Sequence, residues 1–305
     1  MLDIDSNTAH HAPADPPDQA QRLRSRGSSR SFRVIAITSG KGGVGKTNIA
    51  VNLALSLGRD GRRVLLLDAD LGLANADVLL GVQAKADLRH VLLEGRDLRD
   101  CLTPVGSGVD LLAGGSGIAE LADLDSEHKW RLLEAIEPLG DRYDTLLIDT
   151  GAGIGSNVRF FAGAAQDVLV VVGPEPTSLT DAYSTIKVLS HKCGVRRVLV
   201  CVNRVTSLSA AREVFRQLTA VTSRFLPVVV ELCGWVPNDP LVEQAVMKQV
   251  PFTTENPMGP ASQAVRLLGE SVLRRAPEGV TSTGFQIFWQ TLLAADAGGH
   301  KGWDA

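Results

Sequence analysis

Residues 40 to 47 read Gly-Lys-Gly-Gly-Val-Gly-Lys-Thr, a phosphate-binding loop that carries two lysines where the ordinary pattern needs one. The loop follows the apolar run Phe32 to Thr38 and precedes a helical pattern from Asn48 to Leu57, the strand-loop-helix setting that the motif requires. Gly40, Gly42, Gly43 and Gly45 let successive backbone N–H groups turn inward on phosphate oxygens, because glycine alone tolerates the backbone angles and the close approach. The helix N-terminus adds a favourable dipole. Lys46 is placed to reach β- and γ-phosphates and the Thr47 hydroxyl to hold Mg²⁺, with Val44 and Asn48 completing the expected nucleotide contacts. Lys41 leaves the loop at its start, on the side away from the cradle. There it would meet phosphates held by a second subunit, which is the in-trans logic of an arginine finger. The loop therefore predicts an ATPase that works as a dimer.

Two more apolar runs end in carboxylates. Val64 to Asp70 reads Val-Leu-Leu-Leu-Asp-Ala-Asp, so in an extended chain Asp68 and Asp70 project from one side and could face one magnesium site. Asp144 to Gly153 gives a second strand ending in Asp149, with Gly151 two positions on. A lone Asp at such a position is usually a cap or a turn residue. Three of them behind one phosphate loop are a site.

With these residues the chain resembles the deviant Walker A ATPases, the group of MinD, ParA and the nitrogenase iron protein, whose signature is the second lysine. The resemblance implies that Asp68 belongs to the magnesium environment and that Asp70 orients the attacking water. It also implies that Asp149 binds Mg²⁺ through water and that Gly151 donates its N–H to the γ-phosphate. Residues 71 to 77, Leu-Gly-Leu-Ala-Asn-Ala-Asp, are similar to the MinD switch region. Asn203-Arg204 resembles the adenine-recognition position, though a turn-starting Asn reads equally well there. Val236-Pro237-Asn238-Asp239 resembles the segment that closes over the base, with Pro237 as its contact.

The elements that must position these groups follow from pattern. Val168 to Val172, Arg197 to Val202 and Leu226 to Val230 are β-branched runs separated by helix-length segments, which predicts an α/β fold with a doubly wound, mostly parallel sheet. Ligands in such sheets sit at the carboxyl ends of the strands. A chain of 305 residues, 44% apolar, can bury one large core, expected from residue 31 to residue 275. Net charge is −3, so no global bias toward nucleic acid or anionic lipid exists and no direct nucleic-acid contact is expected. Cys101, Cys193, Cys201 and Cys233 show no metal-ligand spacing, and the reading is of reduced packing residues in a cytoplasmic protein. No run approaches the roughly 20 apolar residues that span a bilayer, and the acidic, proline-containing start is not a signal peptide.

The two ends add what separates relatives. Residues 1 to 30 are polar, contain Pro13, Pro16 and Pro17, and are expected to be disordered when free. Within them, Asp18-Gln19-Ala20-Gln21-Arg22-Leu23-Arg24 begins with a good N-cap and continues with helix formers. The string is similar to the D-Q-A-x-x-L-R element of the FlhG (FleN/YlxH) flagellar-number regulators, which stimulate the GTPase FlhF. The resemblance implies that Asp18, Gln19, Ala20, Leu23 and Arg24 form the partner contact and that Gln19 orients the partner's hydrolytic water. The bland reading is a solvated basic linker.

Residues 276 to 305 form a tail in which, after Pro277, Phe285, Phe288, Trp289, Leu292 and Leu293 fall at i, i+3, i+4, i+7 and i+8. Such a stripe is often core; here, beyond a Gly-Ser-Thr link, it predicts a detachable amphipathic helix. The family precedent is reversible attachment to the inner membrane when ATP drives dimerisation. This copy departs from MinD's in lacking lysine or arginine in the stripe, so two copies in a dimer would be needed for stable attachment. By resemblance, the partners are a second copy with ATP and Mg²⁺, FlhF, flagellar switch-complex proteins, a flagellar master transcription activator in some bacteria, and inner-membrane lipid at the cell pole. A MinD-type division-site ATPase would not need residues 18 to 24. A ParA-type segregation ATPase would need a basic DNA-binding surface, an iron–sulfur carrier clustered cysteines, and a P-loop tyrosine kinase a tyrosine-rich tail, whereas Tyr143 and Tyr183 are the only tyrosines here.

Overall fold

A computed structural model describes residues 32–106, 108–115 and 124–276. The two end segments, with Asp18, Gln19, Ala20, Leu23 and Arg24 in one and Phe285, Phe288, Trp289, Leu292 and Leu293 in the other, lie outside the described residues.

Eight strands form one sheet: β1 (Arg33–Ser39), β2 (Val64–Ala69), β3 (Leu102–Gly106), β4 (Val109–Leu112), β5 (Thr145–Ala152), β6 (Asp167–Val172), β7 (Arg197–Val205) and β8 (Val229–Pro237). Their order is β3-β4-β2-β5-β1-β6-β7-β8. Every neighbouring pair is parallel except β3 with β4, the short antiparallel edge. The long helices are α1 (Lys46–Arg59), α4 (Ser126–Ile136), α5 (Ser156–Ala164), α6 (Pro176–Cys193), α7 (Leu208–Phe225) and α10 (Pro260–Arg274). Shorter ones are α2 (Ala76–Leu80), α3 (Leu88–Leu92), α8 (Pro240–Met247) and α9 (Phe252–Glu255).

Parallel strands joined by helical crossovers are covered on both faces, so β2 reads Val-Leu-Leu-Leu without polar alternation. The side chains still alternate. Leu66, Leu147, Leu169 and Leu199 meet Leu53, Val265 and Leu268 on one face. On the other, Leu65, Leu67 and Ile148 meet Leu132 and Phe161, while Val170 and Val200 meet Ile186 and Leu218. Both faces are buried, and the sheet is doubly wound and mostly parallel, as the sequence predicts.

One boundary differs from the sequence expectation. The apolar run Leu226 to Val230 predicts a strand there, but β8 begins only at Val229, where it pairs with Arg197, and continues through Glu231, Gly234 and Trp235 to Pro237. Leu226 instead closes α7, its N–H donating to the Thr222 carbonyl at 2.9 Å. As the outermost strand, β8 is held by its ladder to β7 and does not need an unbroken apolar run.

The chain's two described ends meet at the amino-terminal edge of the sheet. Arg33 and Arg197 both hold the buried carboxylate of Asp167, at 2.8 Å from Arg33 Nε and 2.8 Å from Arg197 Nη2. Arg33 Nη1 also donates to the Leu273 carbonyl at 3.0 Å and Arg197 Nη2 to that of Ala276 at 2.8 Å. No helix among the described residues is long and apolar enough to cross a membrane.

Candidate nucleotide site

The phosphate loop leaves β1, the strand between β5 and β6, and enters α1 at Lys46. Gly43 at φ 80° and Gly45 at φ 90° take left-handed backbone that a side chain would strain. A Cβ on Gly40 would lie 2.2 Å from the Asp181 carbonyl carbon, so the loop's first glycine sits directly on α6. Asn203, at the end of β7, donates from Nδ2 to the Val44 carbonyl at 2.8 Å and accepts the Arg204 N–H on Oδ1 at 3.0 Å. A Cβ on Gly45 would come within 2.4 Å of the same Nδ2. The residue singled out for adenine thus also clasps the phosphate loop. Arg204 is exposed and left-handed at φ 61°, a costly conformation for arginine, where the β7–β8 ladder slips. Pro237 ends β8 beside Val205, and the next N–H, of Asn238, donates to the Val205 carbonyl at 2.9 Å. Asn48, in the first turn of α1, accepts from Asn52 Nδ2 through its carbonyl.

Behind the loop, Lys46 Nζ pairs with Asp149 Oδ1 at 2.8 Å and lies 3.3 Å from Thr47 Oγ1 and 3.9 Å from Asp70 Oδ2. Asp149 is fully buried within β5, which runs past it to Ala152 instead of ending there as the sequence predicts, and its second oxygen, Oδ2, has no hydrogen-bond partner among the described residues. Burial pushes this carboxyl above the ordinary range, against the pull of Lys46. A fully buried carboxylate with a spare oxygen, next to a threonine hydroxyl, is a hard-oxygen donor set that suits Mg²⁺. Gly151 lies two residues on, where a Cβ would stand 3.3 Å from Asp70 Oδ1. The small residue lets Asp70 approach β5.

Asp68 and Asp70 do not point alike. Asp68 is opposite Asp149 in the β2–β5 ladder, and it accepts the N–H groups of Asp70 at 3.1 Å, Asn75 at 2.9 Å and Ala76 at 2.9 Å. Burial, reinforced by nearby Asp149, pushes its carboxyl up to about 7. Its oxygens organise the loop from Asp70 to α2, and Asp70, one residue beyond the strand, is left half-buried beside Lys46. The reason is chain direction: the strand ends at Ala69 and the chain turns over Asp70 to Leu73, the Leu73 N–H donating to the Asp70 carbonyl at 2.9 Å, so the two-residue alternation on which the expectation of a shared face rests stops at Asp70.

Lys41 is on the other side of the loop, its Nζ donating to Thr177 Oγ1 at 3.0 Å in the first turn of α6. The sequence reading did not single out Thr177. Pro176 at the first helical position marks a helix start after β6, but nothing local brings that start to the loop. The order β1-β6 does.

This geometry has close relatives. A protein-family profile described as AAA domain matches residues 32–196. The chain is 45% identical over 251 residues to the antiactivator FleN of Pseudomonas aeruginosa, covering 82% of this chain and 89% of that one. The chain belongs to the FleN/FlhG family of MinD-type ATPases. The flagellum site-determining protein YlxH of Helicobacter pylori is 30% identical over 265 residues, with coverage of 86% and 90%. The septum site-determining protein MinD from Pyrococcus horikoshii OT3, solved with Mg-ADP, superposes at a TM-score of 0.63 with 30% identity over 79% of this chain and 96% of that one. As a member of the FleN/FlhG family the chain is an ATP hydrolase that uses nucleotide with Mg²⁺. Its four cysteines, all free, include three that are buried in the packing.

Proposed function

We propose that this FleN/FlhG-family ATPase binds ATP, dimerises around it and uses the cycle to control the number and placement of flagella. The single observation that supports the cycle is the division of labour between the two lysines. Lys46 is held inside by Asp149, whereas Lys41 is held outside by Thr177, on the surface a second subunit would approach. Phosphate oxygens arriving in the Gly40–Thr47 cradle compete with Asp149 for Lys46. Asp149 and Thr47 then serve the Mg²⁺ environment, with Asp68 bracing the loop behind them. The ion, when bound, neutralises charge on the phosphate oxygens. Asp70 orients the hydrolytic water, the Gly151 N–H meets the γ-phosphate, and Lys41 stabilises charge on the nucleotide of the opposite subunit. Asn203, Arg204 and Pro237 frame the base, and the Val44 clasp ties base recognition to loop geometry.

The flagellar output rests on the kinship with FleN and YlxH and on the Asp18 to Arg24 element. That element would stimulate the GTPase FlhF through Gln19, while the ATP-bound dimer engages switch-complex proteins and, in some bacteria, a flagellar transcription activator. Phe285, Phe288, Trp289, Leu292 and Leu293 would attach the dimer reversibly to the cytoplasmic face of the inner membrane. The test is GTP turnover by FlhF from the same organism, alone, with a peptide of residues 1 to 30, and with its Gln19→Ala version. Stimulation that Gln19→Ala removes supports the reading. No stimulation by the peptide or by the whole chain leaves a MinD-type ATPase without this output.

A further inference from the structure

The amino-terminal edge of the sheet beneath β7 and β8 combines exposed apolar and unpaired basic side chains at the point where the described chain ends. Val221, Phe225 and Val229 are 42%, 57% and 60% exposed, whereas Val214 and Leu218 of α7 and Val236 of β8 are buried. Val221 and Phe225 are one turn apart on α7, so they share a helix face. Val229 pairs with Arg197 at the start of β7, its N–H donating to the Arg196 carbonyl at 2.8 Å. Arg197 in turn holds the Ala276 carbonyl at 2.8 Å, so the tail leaves the domain next to this patch.

Charge points the same way. Among the described residues, Asp167 is paired with Arg33 and Arg197, Glu231 with Arg275, and Glu270 with Arg266 and Arg274. Arg196 and Arg224 are exposed and form no ion pair among the described residues; Arg224 lies 5.2 Å over the Phe225 ring, and the Arg196 carbonyl accepts the Val229 N–H. A chain of net charge −3 thus keeps one uncompensated arginine on an exposed phenylalanine and a second next to Val229. Arginines that flank an aromatic residue suit the headgroup region of a bilayer, where the ring enters the interface and the guanidinium groups meet anionic lipid. The apolar stripe of the tail has no basic residue of its own and starts nine residues beyond Ala276, within roughly 30 Å of extended chain.

We infer that the edge formed by Arg196, Arg224, Phe225 and Val229 is a membrane-facing surface of the folded domain, supplying the electrostatic contact with anionic lipid that the tail lacks. The inference rests on the proposed membrane attachment.

The experiment is flotation of the full-length chain, with ATP and Mg²⁺, on vesicles of phosphatidylcholine alone and of phosphatidylcholine with about one-third phosphatidylglycerol. The native chain should partition more strongly onto the anionic vesicles, and less so as salt rises. Arg196→Glu with Arg224→Glu should weaken that partition by about tenfold or more, and Phe225→Ser should weaken it independently of salt. ATP turnover off the membrane should stay at the native level in both variants, which also reports folding. Variants that bind as tightly as the native chain overturn the inference and leave membrane attachment standing. Tighter binding by Phe225→Ser also overturns it, because the patch would then be shielding the tail. A native chain that floats with neither vesicle rejects membrane attachment itself.

Discussion

Lys41 and Thr177 are 136 residues apart in sequence, yet Lys41 Nζ donates to Thr177 Oγ1 at 3.0 Å. The ammonium sits at the amino end of α6, where the helix dipole disfavours a cation, so the hydrogen bond is a weak hold on this lysine. Removing the hydroxyl with Thr177→Val leaves Lys41 without its partner inside the chain. We expect ATP-dependent dimerisation at about two- to threefold lower protein concentration, the worth of roughly half a kcal/mol, read from turnover against concentration. Thr177→Ser should behave as native. Lys41→Ala should lose turnover by about 10³-fold or more, as removal of a finger residue does.

Lys46 and Asp149 form a buried pair, and breaking it strands a charge. Lys46→Ala should abolish nucleotide binding and also destabilise the chain by about 3 kcal/mol, less to the extent that Asp149 takes up a proton. Adding Asp149→Asn should recover much of that stability in denaturant titrations without restoring binding. A Lys46→Ala protein of native stability would show that the pair contributes nothing to the fold.

Asp70 touches no backbone N–H through its side chain, unlike Asp68, and lies 3.9 Å from Lys46. Asp70→Ala should therefore bind ATP and dimerise with turnover stalled. Sedimentation at saturating ATP checks it, and a monomer there would sink the assignment. Gly151→Ala should slow turnover without lowering Tm much, because its Cβ meets side chains alone, Asp70 Oδ1 at 3.3 Å and Val158 Cγ2 at 3.8 Å. Gly40→Ala should cost about 1 to 3 kcal/mol of stability as well, since its Cβ meets backbone at 2.2 Å.

Asp144 gives a pH signature free of the site. Hydrogen bonds from Arg63, through Nη2 at 2.6 Å and the backbone N–H at 3.0 Å, hold its carboxyl below the ordinary range. A depressed carboxylate stabilises the fold above the unfolded value, about 3.9, and loses that contribution as pH falls through the folded value. Asp144→Asn should lower Tm by a constant amount from pH 7 down to about 4. The difference from native should shrink at lower pH, with ATP turnover at pH 7 unaffected.

Local signals were enough for the glycine loop, the helix after it and the strands that carry Asp68 and Asp149, though not for their ends at Ala69 and Ala152, because turn chemistry and apolar runs act between near neighbours. The wider group of deviant Walker A ATPases could be read from that loop for the same reason: its backbone chemistry is contained in eight consecutive residues. The extent of β8 was not legible, since an edge strand is defined by its ladder to β7 rather than by its own composition. Nor was the divergence of Asp68 from Asp70, which depends on where the chain turns out of the sheet and which N–H groups it then presents.

What the tertiary structure decided is which distant groups meet. Strand order sets β5 and β6 on either side of β1, and so brings Asp149 to Lys46 across 103 residues and Thr177 to Lys41 across 136. Asn203 reaches the Val44 carbonyl across 159 in the same way. Parallel pairing requires a crossover between strands, and each crossover can return the chain to either side of the sheet. Periodicity and composition determine that strands and helices form; packing of the helices over both faces determines the order, and with it the site.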